Sequence, residues 1–453
     1  MMFYNRLDRK NDGEKGIETV GILPIPLINR TMRPGMLYLI WALASASATT
    51  PLLGLIFNGV GLENFILIEI VATTIGIIPA MLMSLMGRQV PVISLVMARR
   101  TFGVSGATVL AVVYTFIGAG WFGLNTDVGA GILSVLFHGH RILWIIALGS
   151  LQTLMVFFGM NILQIFYKYT APIFIACYTI LAFYLFTHYK LRIPIASNAT
   201  SWGRDVDLLL GFGLLAWSYD YPTVTRFCTP INSNEKHIIK LLFMAAPVLG
   251  GFSASLIMGS LGIISIKMTG EWNIAILGRS IPIWGEIASI GVILAIAHTN
   301  AMNLYVSVAK FLAVADVFYA PYSMLQPLTV ILLGILSTGL AIADILHFVV
   351  IFISFLGSFI FPFTFILVVD WFTCKRYVEP IETFYKTPNS FEGWFSWPAP
   401  WAIFVLIVGV VITQMELLIP LVEYAWLPWK VCVAVIAAAI YFFGLKLFQA
   451  VKQ

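Results

Sequence analysis

The stretch LIWALASASATTPLLGLIF, residues 39–57, begins as a membrane helix and then departs from one. It is apolar through Ala44, then carries Ser45, Ser47, Thr49 and Thr50 ahead of Pro51 and Gly54. Proline removes a backbone donor and clashes with the preceding turn, and glycine permits unwinding. Carbonyls and amides freed in this way can hold an ion or a solute, whereas a bundle that only anchors something has no use for an interrupted helix. A second stretch of the same kind, LLLGFGLLAWSYDYPTVTRF (208–227), has Gly211 and Gly213, then Asp220 and Pro222.

The rest of the chain shows what medium surrounds these breaks. Of its 453 residues 60% are hydrophobic and 10% charged, where a soluble protein carries about 25% charged residues. Mean hydropathy is +0.94, so the outer surface faces lipid. A helix needs about 20 apolar residues to cross a bilayer. Twelve such runs are present, at roughly 35–58, 63–86, 104–137, 142–165, 170–187, 206–222, 238–266, 284–309, 324–342, 343–371, 397–418 and 427–449. The chain therefore reads as an all-α polytopic membrane protein with 12 transmembrane helices. Its interrupted spans, 1 and 6, open two successive groups of five. Breaks at matching positions of two halves point to a transporter site near the midplane.

With the N-terminus in the cytoplasm, 19 of the 26 Lys and Arg fall on the inner side, Lys310 among them. The positive-inside bias thus predicts both termini inside. The first 30 residues carry Arg6, Arg9, Lys10 and Lys15 and no early apolar region, so no cleaved leader is expected and the first span directs insertion. The four cysteines lack metal or redox spacing. The net charge of +5 belongs to the span flanks and does not indicate nucleic acid. There is no phosphate loop, nucleophile triad or zinc spacing, and an enzyme is not expected.

Candidate site residues cluster in three spans. In GAGWFGLNTDVGAG (118–131), Trp121 and Asn125 share a helix face. An indole beside a carboxamide suits a flat heteroaromatic, which stacks on the ring and exchanges hydrogen bonds at its edge. Gly118, Gly120 and Gly123 allow close approach of a backbone or ligand. The alternative is helix packing by the Trp and interhelical bonding by the Asn. Asp127 points elsewhere on the helix, to a polar partner or an outer vestibule. Span 8 places His298, Thr299, Asn300 and Asn303 within two turns; the amides can read donor and acceptor patterns, and Thr299 can offer its hydroxyl to a cation. Span 6 adds Trp217 and Asp220, the latter near enough to Arg226 for an ordinary ion pair. Glu69 in span 2 is given no role, and Asp370 with Lys375 and Arg376 reads as an interfacial cluster.

These motifs in this order resemble the nucleobase–cation symporter family of cytosine, purine, allantoin and hydantoin transporters. The likeness runs from GIE at 16–18 through MARRTFGVSG (97–106), GWFGLNT (120–126), DYPTVTRF (220–227) and TNAMNLY (299–305) to FLGSFIFPFTFILVVDWF (355–372). It implies a five-plus-five inverted-repeat core with two peripheral helices. The divisions would be a cytosolic tail (1–34), two repeats (35–187 and 206–371) and the peripheral pair (397–449). It also implies import of a small heterocyclic solute across the cell membrane with Na+ or H+ as coupling cation. No other cofactor is implied, and a monomer suffices because the site lies within one core. Carried over residue by residue, Trp121 is the stacking ring, Asn125 and Asn303 read the solute's edge, and Ser45 is a span 1 contact. The second aromatic wall aligns near Gly213 and Leu214, flanked by Phe212 and Trp217, with Trp217 preferred. A sodium site would use positions near Ile40 and Leu43 with Ala295, His298 and Thr299. Two departures stand out: Thr223 occupies a position where the family often has Asp, and His298 one where sodium-coupled members often have a small hydroxyl residue, which leaves proton coupling open.

Overall fold

The computed structural model describes residue 18 and residues 20–188, 201–281, 285–318, 325–386, 397–415 and 426–452. Arg6, Arg9, Lys10, Lys15, Lys190 and Arg192 of the orientation reading, and Gly16 and Ile17 of the first motif, lie outside these. The first span is α1 (Pro34–Ser45) and α2 (Leu53–Ile56), followed by α3 (Leu62–Gln89), the short α4 (Ser94–Met97), α5 (Arg99–Phe137), α6 (Arg141–Phe157) and α7 (Met160–His188). Next come α8 (Trp202–Phe212), α9 (Leu214–Ser218), α10 (Tyr221–Thr225), α11 (His237–Thr269) and α12 (Gly285–Phe318). The chain continues with α13 (Leu325–Ile342), α14 (Val349–Thr373), α15 (Ala399–Gln414) and α16 (Trp429–Lys452). Apart from a bridge between Met32 and Cys228, the regular structure among the described residues is helical.

Among the described residues, eight helices are long and apolar enough to cross a membrane, nine if the bent pair at 34–56 is one span. Helices α6 and α15 are apolar but only 17 and 16 residues long, and the sixth expected span is divided into α8, α9 and α10. Against the twelve spans expected, the described residues hold eight or nine that qualify, and the fourth and fifth expected segments are divided differently. Gly159 takes φ 82°, a left-handed turn that glycine adopts without cost. Helix α6 ends at Phe157 and α7 starts at Met160, so the expected 142–165 run crosses a turn.

The first break has a local cause. Helix α1 ends at Ser45, whose carbonyl accepts a 2.6 Å bond from the Thr50 hydroxyl. A 3-10 turn over Thr50–Leu52 follows, and the two helical pieces are bent by 55°. The second half of this span lies backbone to backbone against α11: a Cβ on Gly54 would fall 2.2 Å from the Gly262 carbonyl carbon, and one on Gly262 2.1 Å from the Pro51 oxygen. The second break is at Gly213, with φ −112° and ψ −93° between α8 and α9.

Residue 18 and residues 20–32 form a strap across one end of the bundle. Glu18 accepts bonds from the Tyr305 hydroxyl (2.8 Å) and the Met160 amide (2.7 Å). The Gly21 amide donates to Gln326, and Arg226 donates to the carbonyls of Gly21 and Leu23. Tyr385 donates to the Ile22 carbonyl, and the Ile25 amide to that of Pro91.

Two charge assignments change. Lys310 is not a loop residue: it is buried within α12, 2.8 Å from Asp220, so Arg226 is not the partner of that carboxylate. Asp370 is no interfacial residue. It is fully buried and accepts from Thr101 (2.8 Å), Arg376 (2.9 Å) and Tyr441 (2.7 Å), tying α14 to α5 and α16.

Candidate functional site

The two broken spans meet α5, α11 and α12 around a cavity. Its walls include Ser45 from the end of α1, Trp121 and Asn125 from α5, and Gly213 and Trp217 at the second break. Thr299 and Asn303 complete the set from α12. Seven of the residues singled out in the sequence are thus brought together, because each sits at a helix interruption or one turn from another on the same face.

Trp121 is half-buried and meets Phe212 edge to face, with ring centroids 5.6 Å apart at 87°. Trp217 also lines the cavity, but its ring lies against Trp41 at 5.3 Å. Two aromatic groups therefore flank Gly213, with Phe212 the one in contact with Trp121.

Asn125 is held by span 1. Its Oδ1 accepts from the hydroxyls of Ser47 and Thr49, the latter at 2.7 Å, and its Nδ2 donates to the Trp121 carbonyl at 2.9 Å. One amide hydrogen is left to give. The neighbouring polar residues find protein partners too. Thr126 Oγ1 accepts from Asn300 at 2.9 Å, and Asp127 pairs with Arg141, which also reaches Asp344 at 3.2 Å. These contacts offset the desolvation of three successive polar residues in an apolar segment.

Asn300 does not face the cavity. Its Nδ2 shares two hydrogens among the Phe122 carbonyl, Thr126 and Gln152 at 2.8–3.0 Å, joining α12 to α5 and α6. Asn303 reaches it only through a 3.4 Å bond. The His298 side chain also turns away: Nε2 lies 2.7 Å from the Thr170 hydroxyl, among Phe166, Tyr167 and Phe174 of α7. Thr170 gives its own proton to the Phe166 carbonyl at 2.6 Å, so the histidine Nε2 carries the hydrogen. The His298 carbonyl accepts from Tyr167. Of the expected cation ligands, Thr299 lines the cavity and donates to the Ala295 carbonyl at 3.1 Å. Ile40 and Leu43 are buried in α1, near the helix end whose last carbonyls lack a following turn.

Three buried polar atoms on the cavity wall have no hydrogen-bond partner: Ser45 Oγ, Ser255 Oγ and Asp220 Oδ1. Buried polar groups are nearly always paired, so three orphans around one space mark it as a place for a polar guest. Sequence reading passed over Ser255 altogether, since one serine in an apolar helix gives no signal. It noted Ser47 and Thr49 only as part of the break, because their bonds to Asn125 span nearly 80 residues. Of the three glycines singled out on α5, Gly118 lines the cavity and also meets Ser307, whereas Gly120 meets Phe352 and Gly123 meets the Ser337 carbonyl.

Comparison with known proteins agrees with this architecture. A family described as permeases for cytosine/purines, uracil, thiamine and allantoin matches residues 24–436. The hydantoin permease of Microbacterium maritypicum is 23% identical over 320 residues, which cover 66% of this chain and 64% of that protein, just under two thirds of its length. Among solved structures, the nucleobase-cation-symport-1 family transporter Mhp1, closed with bromovinylhydantoin bound, superposes with a TM-score of 0.78 at 18% identity, covering 94% of this chain and 95% of that one. Its inward-facing form gives 0.71 at 18% identity, covering 94% and 93%. A Na+-coupled sialic acid symporter, outward-open with substrate, gives 0.63 at 13% identity, covering 97% and 92%. These likenesses establish a shared multi-pass helical fold.

Proposed function

This chain belongs to the family of permeases for cytosine/purines, uracil, thiamine and allantoin, a family of transporters and not of enzymes, and from that premise we propose that it is a cation-coupled symporter importing a nucleobase such as cytosine or a purine. The observation that carries the reading is the cavity at the two helix breaks, with an aromatic pair on its wall and three buried polar atoms lacking partners. The solute's ring stacks on Trp121, with Phe212 or Trp217 closing the other side. Asn303, Thr299 and the remaining Asn125 hydrogen meet its polar edge. The core is two inverted five-helix repeats, 35–187 and 206–371, within twelve spans of the cell membrane, and both termini are cytoplasmic. Alternating access follows from movement at the breaks.

A second reading is import of a related heterocycle, a hydantoin, allantoin or a thiamine-pathway pyrimidine; the hydantoin permease relative favours it. The coupling cation is Na+ or H+. A sodium ion would use the α1 carbonyls near Ile40 and Leu43 with Ala295 and Thr299.

The test is uptake of labelled cytosine by proteoliposomes under separate inward sodium and proton gradients, with unlabelled heterocycles as competitors. Accumulation that collapses with one gradient identifies the cation, and the strongest competitor identifies the solute class. Trp121→Ala is expected to abolish uptake while the protein remains folded; normal uptake by that variant would overturn the site.

A further inference from the structure

Glu69 is a carboxylic acid within a membrane span, and among the described residues it has no ion-pair partner. It lies on the buried stripe of α3 formed by Phe65, Ile68, Ala72 and Gly76, is 4% exposed, and sits about 10 Å along the helix from Leu62. The charged and titratable groups on the surrounding elements are accounted for elsewhere. On α3 itself, Glu63 is at the first turn and Arg88 pairs with Glu235. Helix α8 carries Arg204, Asp205 and Asp207, and Asp207 accepts from the Lys430 and Val431 amides. Helix α11 has His237 and Lys240 at one end and Lys267 at the other, the last bonded to the Val60 carbonyl. Tyr221 of α10 bonds the Pro247 carbonyl, α9 carries no charge, and Asp370 of α14 is held by Arg376. Helices α3 and α11 run antiparallel, with Phe65 against Gly259 and Ser84 bonded to the Phe243 carbonyl; one turn from the Phe65–Gly259 contact on each helix, that register sets Ser255 opposite Glu69, and neither Ser255 Oγ nor Glu69 Oε2 has a hydrogen-bond partner.

Ser255 also borders the cavity, and its Oγ is 3.8 Å from where a Cβ on Gly213 would stand. One hydroxyl therefore stands between a lone buried acid and the solute space, beside the second helix break. We propose that Glu69 binds the coupling proton of this transporter and that Ser255 relays its protonation state to the solute. The proposal rests on the transport reading above. It deepens that reading by naming the cation and its site.

The relay follows from donor and acceptor counting. A hydroxyl has one hydrogen, and an ionised carboxylate only accepts. With Glu69 ionised, Ser255 turns its hydrogen toward the acid and offers the cavity none. When one proton arrives from the outer solution, Glu69 becomes an acid O–H and donates to Ser255 Oγ. The serine hydrogen is then free for an acceptor atom on the solute. Solute and proton favour each other by the same factor, as linkage requires. When the opposite side opens and the solute leaves, Ser255 turns back and the proton departs to water from the same oxygen. One proton and one positive charge cross per neutral solute.

The test uses the full-length protein, labelled cytosine and the heterocycle panel. In wild type, solute affinity is expected to fall about tenfold as pH rises through the Glu69 titration, and an inward proton gradient to drive accumulation. Glu69→Gln keeps a donor toward Ser255, so it is expected to bind and exchange solute with no pH dependence and no proton-driven accumulation. Glu69→Asp restores part of the pH dependence, which a merely structural role would not do. Accumulation by Glu69→Gln at the wild-type pH dependence, or accumulation by wild type under sodium alone, would overturn the proposal. Infrared difference spectra without solute separate the two readings. A carboxylic acid band that appears on acidification in wild type and not in Glu69→Gln supports Glu69 as the proton site. Its absence from wild type overturns that assignment whatever the uptake shows, whereas failure of wild type to bind any heterocycle overturns the transport reading.

Discussion

Asp220 and Lys310 show how a single side chain can hold the floor of the cavity. Both are buried, at 2.8 Å, and the Lys310 ammonium also donates to the Tyr219 hydroxyl at 3.0 Å. Removing one partner of such a pair strands a charge in a low-dielectric setting, at a cost of about 3–5 kcal/mol, while removing both is much less damaging. Lys310→Met is therefore expected to lower the melting temperature in detergent sharply, and Asp220→Asn with Lys310→Met to recover most of it. Equal melting of the two variants would mean the pair contributes little. The sequence showed Asp220 as an intramembrane acid but paired it with Arg226, the nearest basic residue along the chain. Lys310 lies 90 residues away, and only the rotation of α12 about its axis decides where its side chain points. The same holds for Asn125, whose residue type was legible and whose partners Ser47 and Thr49 were not. His298 and Asn300 fell among the candidates by their position in a polar cluster, yet on a helix neighbours in sequence face different ways.

At the scale of elements, the breaks were the most legible feature. Pro51 with the hydroxyl run, and Gly213 within an apolar run, carry their consequence in local backbone chemistry, and both interruptions occur where that chemistry puts them. The Gly159 turn was missed because Phe157, Phe158 and Met160 keep the hydropathy high across it. The contact of Gly54 with Gly262 was hidden for a different reason: each glycine has meaning only opposite the other. A side chain at Gly262 has no room beside the Pro51 carbonyl. Gly262→Val is expected to force α11 away from α2 and to cost about 1–3 kcal/mol or more, as overpacking does. Thermal melting would show it, and an unchanged melting curve would contradict the backbone contact.

For the whole molecule, composition was enough to identify a polytopic helical bundle, since a tenth of the residues charged is well below the share that a water-soluble surface needs. The positive-inside count was less sound in one particular, because Lys310 is an interior group. The last helix pair is not loosely attached: through Tyr441 it bonds the same Asp370 that holds Thr101 of α5. A buried acid accepting from three sources is invisible to hydropathy, which reads only that one charge sits near a span end.

The strap formed by residues 18 and 20–32 ties together parts that alternating access would separate. Its bonds to Met160, Arg226, Tyr305 and Gln326 reach four segments, so opening that end cannot proceed one contact at a time. Many bonds broken in a single step give a large activation enthalpy. Turnover is therefore expected to rise steeply with temperature and to stall on modest cooling, which an Arrhenius plot of exchange rates would reveal; a shallow slope would mean that the strap travels with one half of the bundle and stays fastened throughout.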